Sequence, residues 1–412
     1  MKRSKRINSK PESIWNYSFI SVCVITTLMN LSKQMSNSIL SKYVDSFGAS
    51  AAVVGLVSSV FALAALLFKV FSGPALDSFD KKKIIFAAMM VLAVAFGGYA
   101  IANNVSTIVV FRFLQGAAQA FTATCLLTMA ADTLPREKFG AGVGVFALFE
   151  TIASAIGPTV GLKLIGVIGY KNTFGVSSVC MFLSAFLVLL YKPAAPFVRR
   201  KKFHISWRNI IAPETLVFAV LLMTFNTVSC VVNTYLAIYS GMQGVSSNQI
   251  GYYFTLNAVV LLLSRPLVGK LTDKLGVVKV VIPALCCCLA AYWIISIATS
   301  IWMFLLAAII SAFGLGACQP AMQALCMKCV SSDKRGAASS TSYIAQDLGN
   351  LVGPMIAGIV VKYLGYQHMW RIMSLPALFG IVYILFIRKR IKMIEQKFVQ
   401  SSTENVVVAH GA

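Results

Sequence analysis

Acidic residues are the scarcest chemistry in this chain. Thirteen aspartates and glutamates stand against 36 lysines and arginines in 412 residues, and all four charged types together make up 12%. That is about half the charge of an ordinary soluble domain, so this class is excluded. Histidine is rarer still, with three widely separated residues (His204, His368, His410), and no CxxC or Cys/His spacing occurs, so no bound metal is expected. The ten cysteines lie in apolar stretches or at their ends, three of them side by side at Cys286, Cys287 and Cys288. They read as small core residues rather than a disulfide framework. A nucleophile with its base and a phosphate-binding glycine loop are both missing, so neither an enzyme nor a cofactor is expected. The alternating polar and apolar segments of a transmembrane barrel are missing too.

What is abundant is apolar sequence, 58% of residues, with a mean hydropathy of +0.79. About twelve runs approach the ~20 residues needed to cross ~30 Å of hydrocarbon. They lie near 16–40, 51–72, 84–102, 106–130, 140–162, 173–191, 213–238, 249–268, 278–298, 302–326, 337–360 and 370–387. Backbone groups in hydrocarbon must be satisfied within their own segment, so the expectation is an all-α membrane protein of about twelve transmembrane helices. The basic residues sit in every second loop, 27 of the 36 on one side. This is the pattern of the positive-inside rule, so the formal charge of +23 is topogenic rather than a nucleic-acid surface. A monomeric multi-pass protein of the cell membrane is expected, embedded in the lipid bilayer, with both termini cytoplasmic and no nucleic-acid partner.

The chain also repeats itself. A shift of 196 residues carries Gly73 to Gly269, Asp77 to Asp273, Asn30 to Asn226, Asn37 to Asn233, Tyr43 to Tyr239 and Gly55 to Gly251. Further on it carries Gly157-Pro158 to Gly353-Pro354 and Gly169-Tyr170 to Gly365-Tyr366. A parallel repeat of this length implies two pseudo-symmetric halves of six helices, related by an axis along the membrane normal. The expected partition is a bundle over 1–191, a cytoplasmic linker over 192–212 with the basic run Arg199 to Lys202, a second bundle over 213–387, and a cytoplasmic tail over 388–412. The last dozen or so residues of that tail are expected to be disordered.

Polar residues inside the apolar runs gather on faces. Asn30, Lys33, Gln34 and Asn37 share one face of the first span, and Asn226, Ser229 and Asn233 repeat it in the seventh. Arg112, Gln115 and Gln119 share a face of the fourth, and Gln319 and Gln323 lie in the tenth. Such faces line a cavity or bond to neighbouring helices. Only two carboxylates, Glu150 and Asp347, fall mid-span, and the shift brings Asp347 to Thr151, beside Glu150. These two acids are the candidates for carrying a proton, with Arg112 lowering the pKa of whichever acid it approaches. Lys33 is expected to meet one of the acids. Counting Lys33 and Arg112 against Glu150 and Asp347, the pocket is near neutral and suits a cationic or neutral substrate; with neither acid in reach, an anionic one is expected.

Several motifs resemble those of the major facilitator superfamily. Gly73-x-x-x-Asp77 and Gly269-x-x-x-Asp273-Lys274-x-Gly276 are similar to its loop signature in both halves. The first copy departs at Ser78 and at Asp80, where a glycine is usual and a left-handed turn is expected of the aspartate. The stretch Arg112 to Gln119 resembles a motif whose buried arginine takes part in proton coupling. Gly144, Ala153, Gly157-Pro158 and Gly161 resemble the signature of proton-driven antiporters, with Ala153 and Leu162 replacing glycines. Pro158, and Pro354 in the repeat, are expected to bend their helices. The resemblance covers nearly the whole chain. It implies a secondary active transporter that exports a small organic molecule, a drug or metabolite, in exchange for protons by alternating access, with the two loops as gates. The alternative is a proton-coupled importer of a small organic solute such as an organic anion. A membrane-embedded enzyme and a pore find no motif in their favour.

Overall fold

A computed structural model describes residues 14–134, 139–192, 211–330 and 334–410. Among these residues the chain forms eleven α-helices and one short 3-10 turn (Pro213–Thr215), with no strand. The helices are α1 (Tyr17–Asp45), α2 (Ala51–Ser78), α3 (Lys81–Ile101), α4 (Val105–Asp132), α5 (Phe139–Leu190), α6 (Leu216–Met242), α7 (Ser247–Leu275), α8 (Val277–Ile297), α9 (Ile301–Lys328), α10 (Arg335–Ile372) and α11 (Leu375–His410). Helix α5 contains two spans, which brings the number of spans to twelve, six in each half. Its backbone breaks at Gly169 (φ 77°, ψ 174°), and α10 breaks at the repeat-related Gly365 (φ 80°, ψ 172°). That region of backbone space is essentially closed to residues with a Cβ.

Among the described residues eight helical stretches are long and apolar enough to cross a membrane, and two of these, Gly144–Leu190 and Ala337–Gln396, have the length for two crossings. Neither α1 nor α4 is among the eight. These are the helices that carry the polar faces with Lys33 and Arg112, and the bundle shelters them. Large apolar side chains instead cover the outer surface, where Leu183, Leu263 and Phe386 stand exposed. An apolar rim around a polar interior is the arrangement a bilayer selects.

The repeat is obeyed in three dimensions. A Cβ on Gly157 would stand 2.6 Å from Gln34 Cβ, and one on Gly353 would stand 2.5 Å from Cys230 Sγ and 2.6 Å from the Thr227 carbonyl oxygen. These glycines let α5 close on α1 and α10 close on α6. Pro158 and Pro354 lie within helical backbone, and non-helical dihedrals occur at Gly169 and Gly365.

Several sequence expectations are corrected here. The polar stretch from Gly73 to Lys83 is not an extended loop: α2 continues through Asp77 to Ser78, and only Phe79 and Asp80 separate it from α3. Its second copy narrows to Gly276 alone, between α7 and α8. Continuing the helix satisfies the backbone until a cap takes over. Asp80 supplies that cap in the usual extended conformation (φ −63°, ψ 117°), with Oδ1 accepting from Lys82 N at 2.9 Å, so it is not left-handed. Gly276 occupies the equivalent position with φ 83° and no side chain, and there Glu395 Oε1 accepts from Val277 N at 3.0 Å. Glu395 lies beyond the last span, in the expected tail, which is helical to His410 rather than disordered. The break before the last span falls at Gly365, within the expected gap 361–369, and a second interruption at Met373 and Ser374 separates α10 from α11. Most of the expected linker, including Arg199 to Lys202, lies outside the described residues, as do the side chains of Asp77 and Asp273.

Candidate functional site: a polar cavity between the halves

The two ends of the bundle differ. One carries Lys81, Lys82, Lys83, Lys270, Lys274, Lys279 and Arg388 and is termed the basic end; the α1–α2 and α6–α7 turns form the far end. Between them a cavity of about 190 Å³ opens where the halves meet. Helix α1 contributes Gln34, Asn37, Ser38 and Ser41, α2 contributes Ser58 and Phe61, α4 contributes Arg112, α6 contributes Asn233 and Thr234, and α10 contributes Asn350.

Arg112 is 7% exposed and anchors the polar wall. Its Nη1 donates to Asn37 Oδ1 at 2.8 Å and to Gln115 Oε1 at 2.7 Å, and its guanidinium carbon stands 4.6 Å from the Phe61 ring centre. Gln115 is fully buried and held in turn, accepting from Tyr99 Oη at 2.7 Å and donating to Asn37 Oδ1 at 3.1 Å. No carboxylate pairs with Arg112 among the described residues.

The other expected residues divide sharply. Gln34, Asn37 and Asn233 border the cavity. Asn30 and Asn226 do not; each donates to a carbonyl one turn back in its own helix, Thr26 O at 3.1 Å and Leu222 O at 2.9 Å. Gln119 donates to Thr122 Oγ1 at 2.9 Å. Gln319 donates to Gln346 Oε1 at 3.0 Å, and with Gln323 it lines a second cavity of about 490 Å³ that includes Arg265, Gly269 and Thr272. Lys33 lies one helical turn from Asn37 and is half-buried, within electrostatic reach of Glu150 but without an ion pair among the described residues.

Asp347 does not meet Lys33 or Arg112. Its Oδ2 lies 2.5 Å from Lys69 Nζ on α2, with side-chain exposures of 15% and 27%. The pair joins the two halves, and Lys69 Nζ also stands 5.1 Å from the Tyr343 ring centre. In the sequence Lys69 reads only as a charge in or at the end of a span. The signal was nonetheless present, because the 196-residue shift carries Lys69 to Arg265 and Thr151 to Asp347. In the structure Arg265 Nη1 reaches Thr151 Oγ1 at 3.4 Å. Nearer the far end the same symmetry holds again: Ser59 Oγ donates to Leu351 O at 2.6 Å and Thr255 Oγ1 to Ala155 O at 3.4 Å. At the far end itself Tyr235 Oη stands 2.9 Å from the carbonyl oxygens of both Ala51 and Pro354, and Lys42 bonds to Ser247. Past Lys69 and Arg265 toward the basic end, no hydrogen bond or ion pair links the halves among the described residues.

The sequence profile of the Major Facilitator Superfamily matches residues 22–246 and again 217–408, one match for each half. The chain belongs to the major facilitator superfamily. It is 24% identical over 340 residues to the multidrug resistance protein MdtG of Enterobacter lignolyticus, covering 80% of this chain and 81% of that one. It is 24% identical over 343 residues to the multi-drug resistance efflux pump PmrA of Streptococcus pneumoniae, covering 80% and 85%. Among solved structures it superposes on the nucleoside transporter NupG with a TM-score of 0.75 at 13% identity, covering 91% of this chain and 100% of that one. A bacterial homolog of the human lysosomal transporter Spinster gives 0.70 at 16% identity, covering 95% and 99%. This major facilitator protein is therefore a multi-pass membrane transporter of a small molecule rather than an enzyme.

Proposed function

We propose that this transporter exports a small organic molecule in exchange for protons, by rocking its two halves about the central cavity. The observation that carries the reading is the Lys69–Asp347 pair, a titratable carboxylate bonded to a cation across the interface that must open and close. Protonation of Asp347 removes one charge of the pair and loosens that joint, so proton entry and the separation of the halves become one event. Relatives named as multidrug efflux proteins support the direction. With the basic end in the cytoplasm, the far-end contacts close the outer face and the cavity opens inward. On this reading residues 1–191 and 213–387 are the moving halves, 192–212 the linker and 388–412 the tail of a monomer in the cell membrane, and Asp77 and Asp273 hold the basic ends together in the outward-open state.

The test is a pH-sensitive dye inside proteoliposomes loaded with candidate substrates. Efflux of a transported compound acidifies the lumen if protons enter in exchange, and makes it alkaline if protons leave with the substrate. Acidification supports the proposal, and a lumen that stays unchanged during measured efflux refutes it. A second reading, a proton-coupled importer of an organic anion, is favoured by the absence of an acid bonded to Arg112 or Lys33.

A further inference from the structure

The charges within the bundle do not cancel. Well inside the helices, away from their ends and from the breaks at Gly169 and Gly365, stand the cations Lys33, Lys69, Arg112 and Arg265 against the acids Glu150 and Asp347. Asp347 is committed to Lys69, which leaves Glu150 as the one mid-span acid for the remaining three cations. The near-neutral pocket expected from sequence omitted Lys69 and Arg265.

Arg112 shows where the excess is felt. It uses only Nη1 toward protein acceptors. Its Nε is buried without any partner, while Nη2 makes no hydrogen bond among the described residues and is not sealed off. The Nε–Nη2 edge is the fork that accepts a carboxylate side-on through two parallel hydrogen bonds. Holding a guanidinium in a low-dielectric interior with that edge empty is costly, and an anion supplied from outside relieves the cost. Phe61 on the ring face and Gln115 at the Nη1 corner fix the guanidinium plane, so the fork is oriented before any ligand arrives.

We propose that the central cavity is an anion site, which binds the carboxylate or a similar planar oxyanion of an organic substrate on the guanidinium of Arg112, met first at Nη2, the part of the Nε–Nη2 edge that is not sealed off. The amides of Gln34, Asn37, Asn233 and Asn350 surround the rest of the molecule, while Lys33, one turn along α1 from Asn37, is not among the lining side chains. A volume of about 190 Å³ accommodates a small organic anion. The proposal names the substrate class for the transport reading above and rests on that reading only for the direction of movement.

The experiment uses the full chain in nanodiscs of zwitterionic phosphatidylcholine and measures binding of benzoate, benzamide and benzamidine by equilibrium dialysis at neutral pH, with no gradient. The three probes share a shape and differ in charge. Benzoate is expected to bind at least about tenfold more tightly than the other two, the factor that ~1.4 kcal/mol represents. Arg112→Gln is expected to lower benzoate affinity about tenfold or more, and Arg112→Lys, which keeps the charge and loses the fork, by an intermediate factor. If Arg112→Gln fails to fold, Arg112→Lys and the charge series still decide. Benzamide or benzamidine binding as tightly as benzoate, unchanged benzoate affinity in both folded variants, or no benzoate binding up to about 10 mM overturns the proposal. Loss of benzoate binding in phosphatidylglycerol discs assigns the site to a lipid headgroup and overturns it as well. Because no proton gradient is present, failure here leaves the proton-exchange reading standing, and failure of the dye assay leaves this one standing.

Discussion

Lys69 on α2 and Asp347 on α10 meet at 2.5 Å across the two halves, and the internal repeat carries that pair onto Arg265 and Thr151, which meet at 3.4 Å with no acid between them. The same joint is built twice, once as an ion pair and once as a cation on a hydroxyl. Both sites keep the cation, and the difference between them is a single carboxylate. An interface with one titratable joint and one fixed joint has a defined side on which protonation acts.

Removing either partner of the ionic joint leaves a charge with little water around it. Lys69→Met and Asp347→Asn are each expected to destabilise the purified protein by ~1–3 kcal/mol, less than a fully buried pair because both side chains retain some exposure. The double variant is expected to be more stable than the sum of the two losses predicts, which a thermal-unfolding cycle in detergent measures. In proteoliposomes Asp347→Asn is expected to abolish transport driven by a pH gradient while substrate-for-substrate exchange survives. Loss of both activities assigns Asp347 to binding or folding.

Thr151→Asp supplies the missing acid opposite Arg265. It is expected to make the second joint ionic, to raise the unfolding temperature, and to slow turnover by about tenfold if the new pair adds ~1.4 kcal/mol to the closed interface. The combination with Arg265→Gln is expected to restore the rate. A Thr151→Asp protein that turns over at the wild-type rate shows that the halves do not separate at this level.

If the cargo is an anion leaving as a proton enters, a one-for-one cycle moves two elementary charges. Its driving force then changes by about 4.6 kcal/mol for each 100 mV of membrane potential, against half that for a neutral cargo and none for a cation. Potassium diffusion potentials imposed with valinomycin on proteoliposomes read this directly. Equal efflux at all potentials identifies a cationic cargo.

The breaks at Gly169 and Gly365 offer a test of the fold. Alanine at either position is expected to cost on the order of 1–3 kcal/mol, because its Cβ is incompatible with φ near 80° and ψ near 170°. Gly166 and Gly175, helical and with open space around them, serve as controls. There alanine is expected to be neutral or to stabilise by up to about 1 kcal/mol, as measured by thermal unfolding.

How far the sequence could be read follows from what each feature leaves in the letters. A backbone that only glycine can adopt leaves a glycine, so Gly169 and Gly365 announced themselves through the repeat, and close helix contacts left Gly157 and Gly353. Helical period placed Asn30, Lys33, Gln34 and Asn37 on one face, but a shared face does not fix depth. Asn30 turned to its own backbone at Thr26, while Asn37 met Arg112. The partner of Asp347 was hidden for a different reason. Which residue of α2 lies level with which residue of α10 depends on how two helices slide against each other, and a single sequence does not record that register. Only the coincidence of Lys69 with Arg265 under the repeat hinted at it.

The bond from Glu395 to the first amide of α8 has a practical bearing on how the protein is produced. Gly276 leaves that helix without a cap of its own, so a chain shortened between Arg388 and Glu395 loses a contact of the kind that contributes about 1 kcal/mol. Such a chain would be less robust to detergent extraction even though every span remains. A fluorescent reporter joined after His410 keeps the contact, and comparing the elution of the two forms after solubilisation would show whether this end of the polypeptide belongs to the folded body or merely trails from it.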